Sequence, residues 1–148
     1  MQVIEDAAVP PERLGDYVRG VRESLDRNGF RGVIFGHAGD AHVHVNPLID
    51  VRQPDWRERV MRLLEEVTAL VASLGGTLTG EQGDGRLRTP LLDRVWDARA
   101  RERFALVKRC FDPEGIFNPG VKVPAPHAAP LEEIKYDPDL PAPPDPVR

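Results

Sequence analysis

The chain has 148 residues, with 20 Lys and Arg against 24 Asp and Glu and a formal net charge of −4, so it suits one domain or part of one. Mild acidity without any Lys/Arg block argues against a nucleic-acid surface, and the longest apolar runs, such as Ala69 to Ala72, fall far short of the roughly 18 residues of a membrane span. The single cysteine, Cys110, excludes an internal disulfide and a Cys-based metal site within these residues, and the acidic start Met1-Gln2-Val3-Ile4-Glu5-Asp6 lacks the base and apolar run of a signal peptide, so the sequence predicts a cytoplasmic chain.

Residues 2–8 read as a strand ending at Pro10-Pro11. Leu14, Tyr17, Val18, Val21 and Leu25 then fall at helical spacing, closed by Asn28-Gly29. Residues 31–37 form a predicted strand with the apolar centre Val33-Ile34-Phe35. Residues 41–46 form another after a Gly39-Asp40 turn, so the two make a hairpin. The strongest helix is 54–74, where Trp56, Val60, Leu63, Leu64, Val67, Leu70, Val71 and Leu74 make one stripe. Gly75-Gly76 ends it, and 77–79 is a candidate short strand. A last helix over 90–110 presents Leu92, Val95, Trp96, Phe104 and Val107 on one side and makes Cys110 a buried packing thiol. The final 25 residues hold 8 of the 15 prolines, which predicts a folded part over 1–123 and a Pro-rich extended tail or linker over 124–148, with Leu131, Ile134 and Tyr136 as docking points. This order describes an α+β fold, an antiparallel sheet with helices packed on one face.

Three segments could carry chemistry. The first, Gly36-His37-Ala38-Gly39-Asp40-Ala41-His42-Val43-His44, holds three of the four histidines. With Gly39-Asp40 as a two-residue loop, His37 faces His42 and Phe35 faces His44, so all three imidazoles share one sheet face and suit a divalent metal. A three-residue loop would turn His37 to the other face. The competing reading is of ordinary polar residues on a half-exposed strand.

The second segment, Gly75 to Arg88, has five glycines in its first eleven residues, so its backbone can approach a ligand closely. Glu81 offers a carboxylate to a metal, and Arg86 or Arg88 offers a guanidinium to an anionic substrate. The alternative is a solvated loop whose arginines pair with Asp84 or Asp93. The third segment, Phe111 to Gly120, is two turns around an apolar pair that would hold Asn118 rigidly, for a ligand contact or for an Asx-type turn alone.

In this order the three segments, with the opening Glu5-Asp6-Ala7-Ala8-Val9-Pro10, resemble the C-terminal domain of FAD-linked oxidases in the vanillyl-alcohol-oxidase superfamily. The similarity, to glycolate oxidase flavoprotein subunits and D-lactate dehydrogenases, runs from about Val3 to Val123. It implies that His37, His44 and Glu81 are ligands of a divalent metal, zinc, iron or manganese. That metal would hold a small 2-hydroxy acid whose hydride passes to FAD. It further implies that Asn118 lies near the flavin; of the two arginines in the second segment, Arg86 is the expected substrate contact.

Two departures stand out. Gln82 occupies the position beside Glu81 where the family has His, and a neutral amide cannot take up a proton near pH 7. Ala41-His42 stands where the family has Gly-Asn, so His42 is a candidate for the missing acid/base role or for a further ligand. The family's FAD-binding domain has no counterpart in the sequence, and Met1 is expected to fall partway through the C-terminal domain. The resulting expectation is a substrate- and metal-binding portion of an FAD-dependent 2-hydroxy-acid oxidoreductase, inactive without a flavin-binding domain or subunit. Uncovered apolar surface on the sheet face would favour that partner or a homo-oligomer. The alternative is a non-catalytic metal-binding or assembly module that retains the fold.

Overall fold

The computed structural model describes residues 3–132 and 134. Among these residues the elements are β1 (Ala7–Ala8), α1 (Leu14–Arg27), β2 (Arg31–His37), β3 (His42–Leu48), α2 (Trp56–Ser73), the single-turn α3 (Gly85–Arg88) and α4 (Ala98–Phe111). The three strands form one antiparallel sheet in the order β1-β3-β2, so the chain is the expected α+β fold.

Side chains alternate across a strand, and on β3 that alternation sorts the sheet into two faces. Val43 and Val45 point to one, where they are buried with Tyr17, Val21 and Leu25 of α1 and Val60, Leu63, Leu64, Val67 and Val71 of α2. Helices α1 and α2 thus cover one face. His42, His44 and Asn46 point to the other, opposite His37, Phe35 and Val33 of β2. On this second face Val33 and Phe35 are exposed, while His42 and His44 are buried.

The hairpin keeps the predicted register, His37 against His42 and Phe35 against His44, although its loop is longer than expected. Ala38–Asp40 forms a 3-10 turn and Ala41 takes a left-handed φ of 48°. Four loop residues preserve the parity of two, so the histidines stay on one face. The strands approach closely at Gly36, where a Cβ would sit 2.2 Å from the His42 carbonyl oxygen.

Three expected elements are corrected. The strand over 2–8 shrinks to Ala7–Ala8, because the chain turns inward before it: Val3 and Ile4 enter the core and the Asp6 carbonyl accepts from Gly80 N–H at 2.6 Å. The strand over 77–79 is one bridge, Thr77 against Ala8. The helix over 90–110 is split into a 3-10 turn, Thr89–Arg94, and α4, which Asp97 caps by accepting from Ala100 N–H at 2.7 Å. A side-chain cap at this point starts a new helix. Helix α4 buries no residue, so Cys110 is exposed rather than a packing thiol, with Val107 and Phe111 exposed beside it. Leu131 is buried in the core and Ile134 packs against it; Tyr136 lies outside the described residues. No helix among the described residues is long and apolar enough to cross a membrane.

Candidate metal centre

The hairpin supplies three rings and the loop after α2 supplies a carboxylate. One ligand atom each from His37, His42, His44 and Glu81 lie within 4.8 Å of one another. Glu81 reaches between two of the rings, with Oε1 3.3 Å from His44 Nε2 and Oε2 3.7 Å from His37 Nε2. The His37 and His42 rings are stacked at 5.4 Å and the His42 and His44 rings meet edge-on at 4.5 Å. A cleft of about 320 Å³ opens here, lined by Ala8, His37, Asp40, His42, Gly80 and Glu81.

The donor chemistry fits a cation. His44 Nδ1 lies 2.5 Å from the Glu5 carbonyl oxygen, and a carbonyl only accepts, so Nδ1 carries the proton. In the neutral ring Nε2 then presents its lone pair to Glu81 Oε1, an opposition that a proton or a metal ion must relieve. A ring whose far nitrogen is tied to a backbone carbonyl is the usual form of a metal-binding histidine.

His42 is held differently. Its Nε2 lies 2.9 Å from Oδ1 of Asp6, a fully buried carboxylate that also accepts from Glu81 N–H at 3.1 Å, Gln82 N–H at 2.9 Å and the Thr79 hydroxyl at 2.6 Å. Burial alone would raise the Asp6 carboxyl; the hydrogen bonds from Thr79, Gln82, Glu81 and His42 outweigh it and hold the group below the ordinary aspartate value. In the sequence Asp6 stood only in a candidate strand and in the opening Glu5-Asp6-Ala7-Ala8-Val9-Pro10, with no role attached to it. Only its position one residue before Ala7, which pairs with Val43 beside His42, could have pointed to it.

Of the remaining predicted residues, Arg86 and Asn118 are placed apart from the four donors. Gln82 joins the site through its backbone N–H on Asp6. Arg88 turns inward, buried, 3.2 Å from Glu5 and 3.8 Å from Asp6, and donates to the Gly83 carbonyl. It therefore pins the loop from inside. Arg86 donates through Nε to the Pro119 carbonyl at 3.2 Å, next to Asn118, whose φ is 44°. Arg86 and Pro119 border a separate groove of about 830 Å³ that runs to the Pro-rich segment. Neither Arg86 nor Asn118 lines the cleft at the histidines. The Asn118 turn is braced by Asp112, which accepts from Ile116 and Phe117 N–H, both at 2.9 Å, and from Lys108. Asp84, buried, pairs with Lys122 at 2.7 Å.

Comparison with known proteins is consistent with this architecture. Residues 1–121 match the family described as FAD linked oxidases, C-terminal domain. The chain is 33% identical over 118 residues to the glycolate oxidase subunit GlcD of Bacillus subtilis, covering 80% of this chain and 25% of that protein. It is 35% identical over 124 residues to a D-lactate dehydrogenase of Archaeoglobus fulgidus, covering 80% and 26%. With a D-2-hydroxyglutarate dehydrogenase of Escherichia coli it shares 34% over 133 residues, covering 90% and 13%. The chain spans about a quarter or less of the length of these relatives. By its sequence, the chain belongs to the C-terminal domains of FAD-linked oxidases.

Proposed function

We propose that this chain is the metal- and substrate-binding portion of an FAD-dependent oxidoreductase acting on a small 2-hydroxy acid of the D-lactate or glycolate type, and that it is inactive without a flavin-binding domain or subunit. One observation carries the reading: Glu81 sits between two imidazoles, one of them locked by the Glu5 carbonyl with its Nε2 facing the carboxylate. His37, His44 and Glu81 would hold a divalent zinc, iron or manganese ion. When bound, that ion supplies positive charge for the hydroxyl and carboxylate of the acid, and FAD supplies the acceptor for its hydride.

The chain's own residues supply the rest. Gln82 can hydrogen-bond a substrate but not deprotonate it, which leaves His42 as the group for an acid/base role or as a further ligand. Arg86 is assigned to the substrate carboxylate and Asn118 to the flavin side, on turns that meet through the Arg86 contact to Pro119. The exposed Val33 and Phe35 on the site face of the sheet are where we place the partner flavin domain, with a homo-oligomer as the alternative. A domain boundary near residue 123, which rests on the proline content beyond it, and a cytoplasmic location belong to the same proposal.

The test combines the full chain, loaded with each metal in turn, with a flavin domain of the family, an artificial electron acceptor and a panel of 2-hydroxy acids. Flavin bleaching by D-lactate or glycolate, lost in Glu81→Gln, is the expected outcome. Silence across the panel, with metal bound, overturns it in favour of a non-catalytic metal-binding or assembly module, the reading that Gln82 in place of His would favour.

A further inference from the structure

We propose that Asp6 is the positioning residue of the donor cluster: one buried carboxylate sets both the place of Glu81 and the orientation of the His42 ring. The proposal builds on the metal reading above. Each Asp6 oxygen takes two donors, Oδ1 the His42 ring and Glu81 N–H, Oδ2 the Thr79 hydroxyl and Gln82 N–H. Two consecutive amides aimed at one anion fix the backbone from which the Glu81 side chain departs. Asp6 precedes β1, which pairs Ala7 with Val43 and Ala8 with His42. The loop donor and the hairpin donor are therefore brought into register through a third segment of the chain.

A buried charge is unfavourable unless fully satisfied. Here four hydrogen bonds satisfy it, with the Arg88 guanidinium 3.8 Å from Oδ2. An Asn of the same shape has one accepting oxygen, and its NH2 would face two donors in either orientation. His42 has no room to adjust, because the Gly80 backbone packs against the ring so closely that a Cβ there would be 2.5 Å from Cδ2.

The experiment titrates the metal-stripped full chain with Co2+, read by its visible absorption, for wild type, Asp6→Asn and Thr79→Val, at a temperature where circular dichroism shows each folded. Asp6→Asn should bind Co2+ about 10- to 100-fold more weakly, and Thr79→Val, which removes one donor of the four, should lose a smaller factor. An Asp6→Asn chain with a lowered Tm but unchanged Co2+ affinity overturns the proposal, since Asp6 would then hold the fold and not the donors. If wild type takes up no Co2+, the metal reading fails, and positioning is read by amide hydrogen exchange without metal. Loss of protection at Glu81 and Gln82, with Val43 and Val45 unchanged, supports it. Uniform loss, or none, overturns it. Should Asp6→Asn fail to fold, Thr79→Val carries the same readouts.

Discussion

Gly80 offers a steric test of how tightly the loop is set against the hairpin. A methyl group at residue 80 would stand 2.5 Å from Cδ2 and 2.7 Å from Nε2 of His42, where unstrained carbon contacts lie at about 3.5–4.0 Å. Either the ring or the loop must retreat by roughly 1 Å. The ring is buried, hydrogen-bonded to Asp6 at 2.9 Å and packed against His44. The loop is tied through Gly80 N–H to the Asp6 carbonyl at 2.6 Å. Gly80 is not among the glycines with positive φ, so alanine brings no backbone strain and the effect is overpacking, about 1–3 kcal/mol. For a chain of this size that lowers Tm by about 2 to 12 °C.

The control is Gly39→Ala in the hairpin turn, where a Cβ meets nothing within 4 Å. Urea and thermal unfolding of the two variants should differ by the full cost, and in a His42→Ala background the Gly80→Ala penalty should vanish, since the ring it strikes is gone. A Gly80→Ala chain within about 0.5 kcal/mol of Gly39→Ala would refute the argument, that figure being the usual scatter of benign substitutions.

Two further outcomes follow from the packing and the charges. Leu63→Ala, at a fully buried position of α2 facing the sheet, should cost about 2–5 kcal/mol in urea unfolding; a loss under about 1 kcal/mol would mean the core collapses freely around it. The Lys108 hydrogen bond, opposed by burial and aided by Ile116 and Phe117 N–H, holds the Asp112 carboxyl below its ordinary value of 3.8. Because the folded value is depressed, the contribution of Asp112 is complete above the ordinary value and is lost as pH falls through the lowered one. Amide protection at Ile116 and Phe117 should fall in that acid range before that of β3, and an Asp112→Asn chain that keeps wild-type protection at both amides would contradict the bracing role.

Sequence pattern reached the hairpin and the two core helices because local physics decides them. The apolar centre of β2 gave Arg31–His37 to the residue, and the α2 stripe gave a helix that overran Trp56–Ser73 by two residues at its start and one at its end. The histidine face was legible because strand parity survives an even change in loop length. Asp6 was not, since its role depends on donors 73 to 76 residues away, and periodicity carries nothing about such distances. Arg88, read as a guanidinium for an anionic substrate or a partner of Asp84 or Asp93 in a solvated loop, turns to Glu5 and Asp6 instead, out of sight for the same reason. The misreading of Cys110 has another cause: the stripe it shares with Val107 and Phe111 exists on α4, but among the described residues it covers no core.

The donor set divides its labour between two pieces of chain. The hairpin contributes only ring nitrogens, on strands whose ladder is indifferent to what the side chains ligate, while the one carboxylate of the quartet arrives on the Gly-rich loop at Glu81. Exchanging that one residue would alter the electrical balance of the pocket while leaving the sheet's backbone pairing intact. On the metal reading proposed above, preference among cations would therefore be retuned at one loop position on an unchanged scaffold.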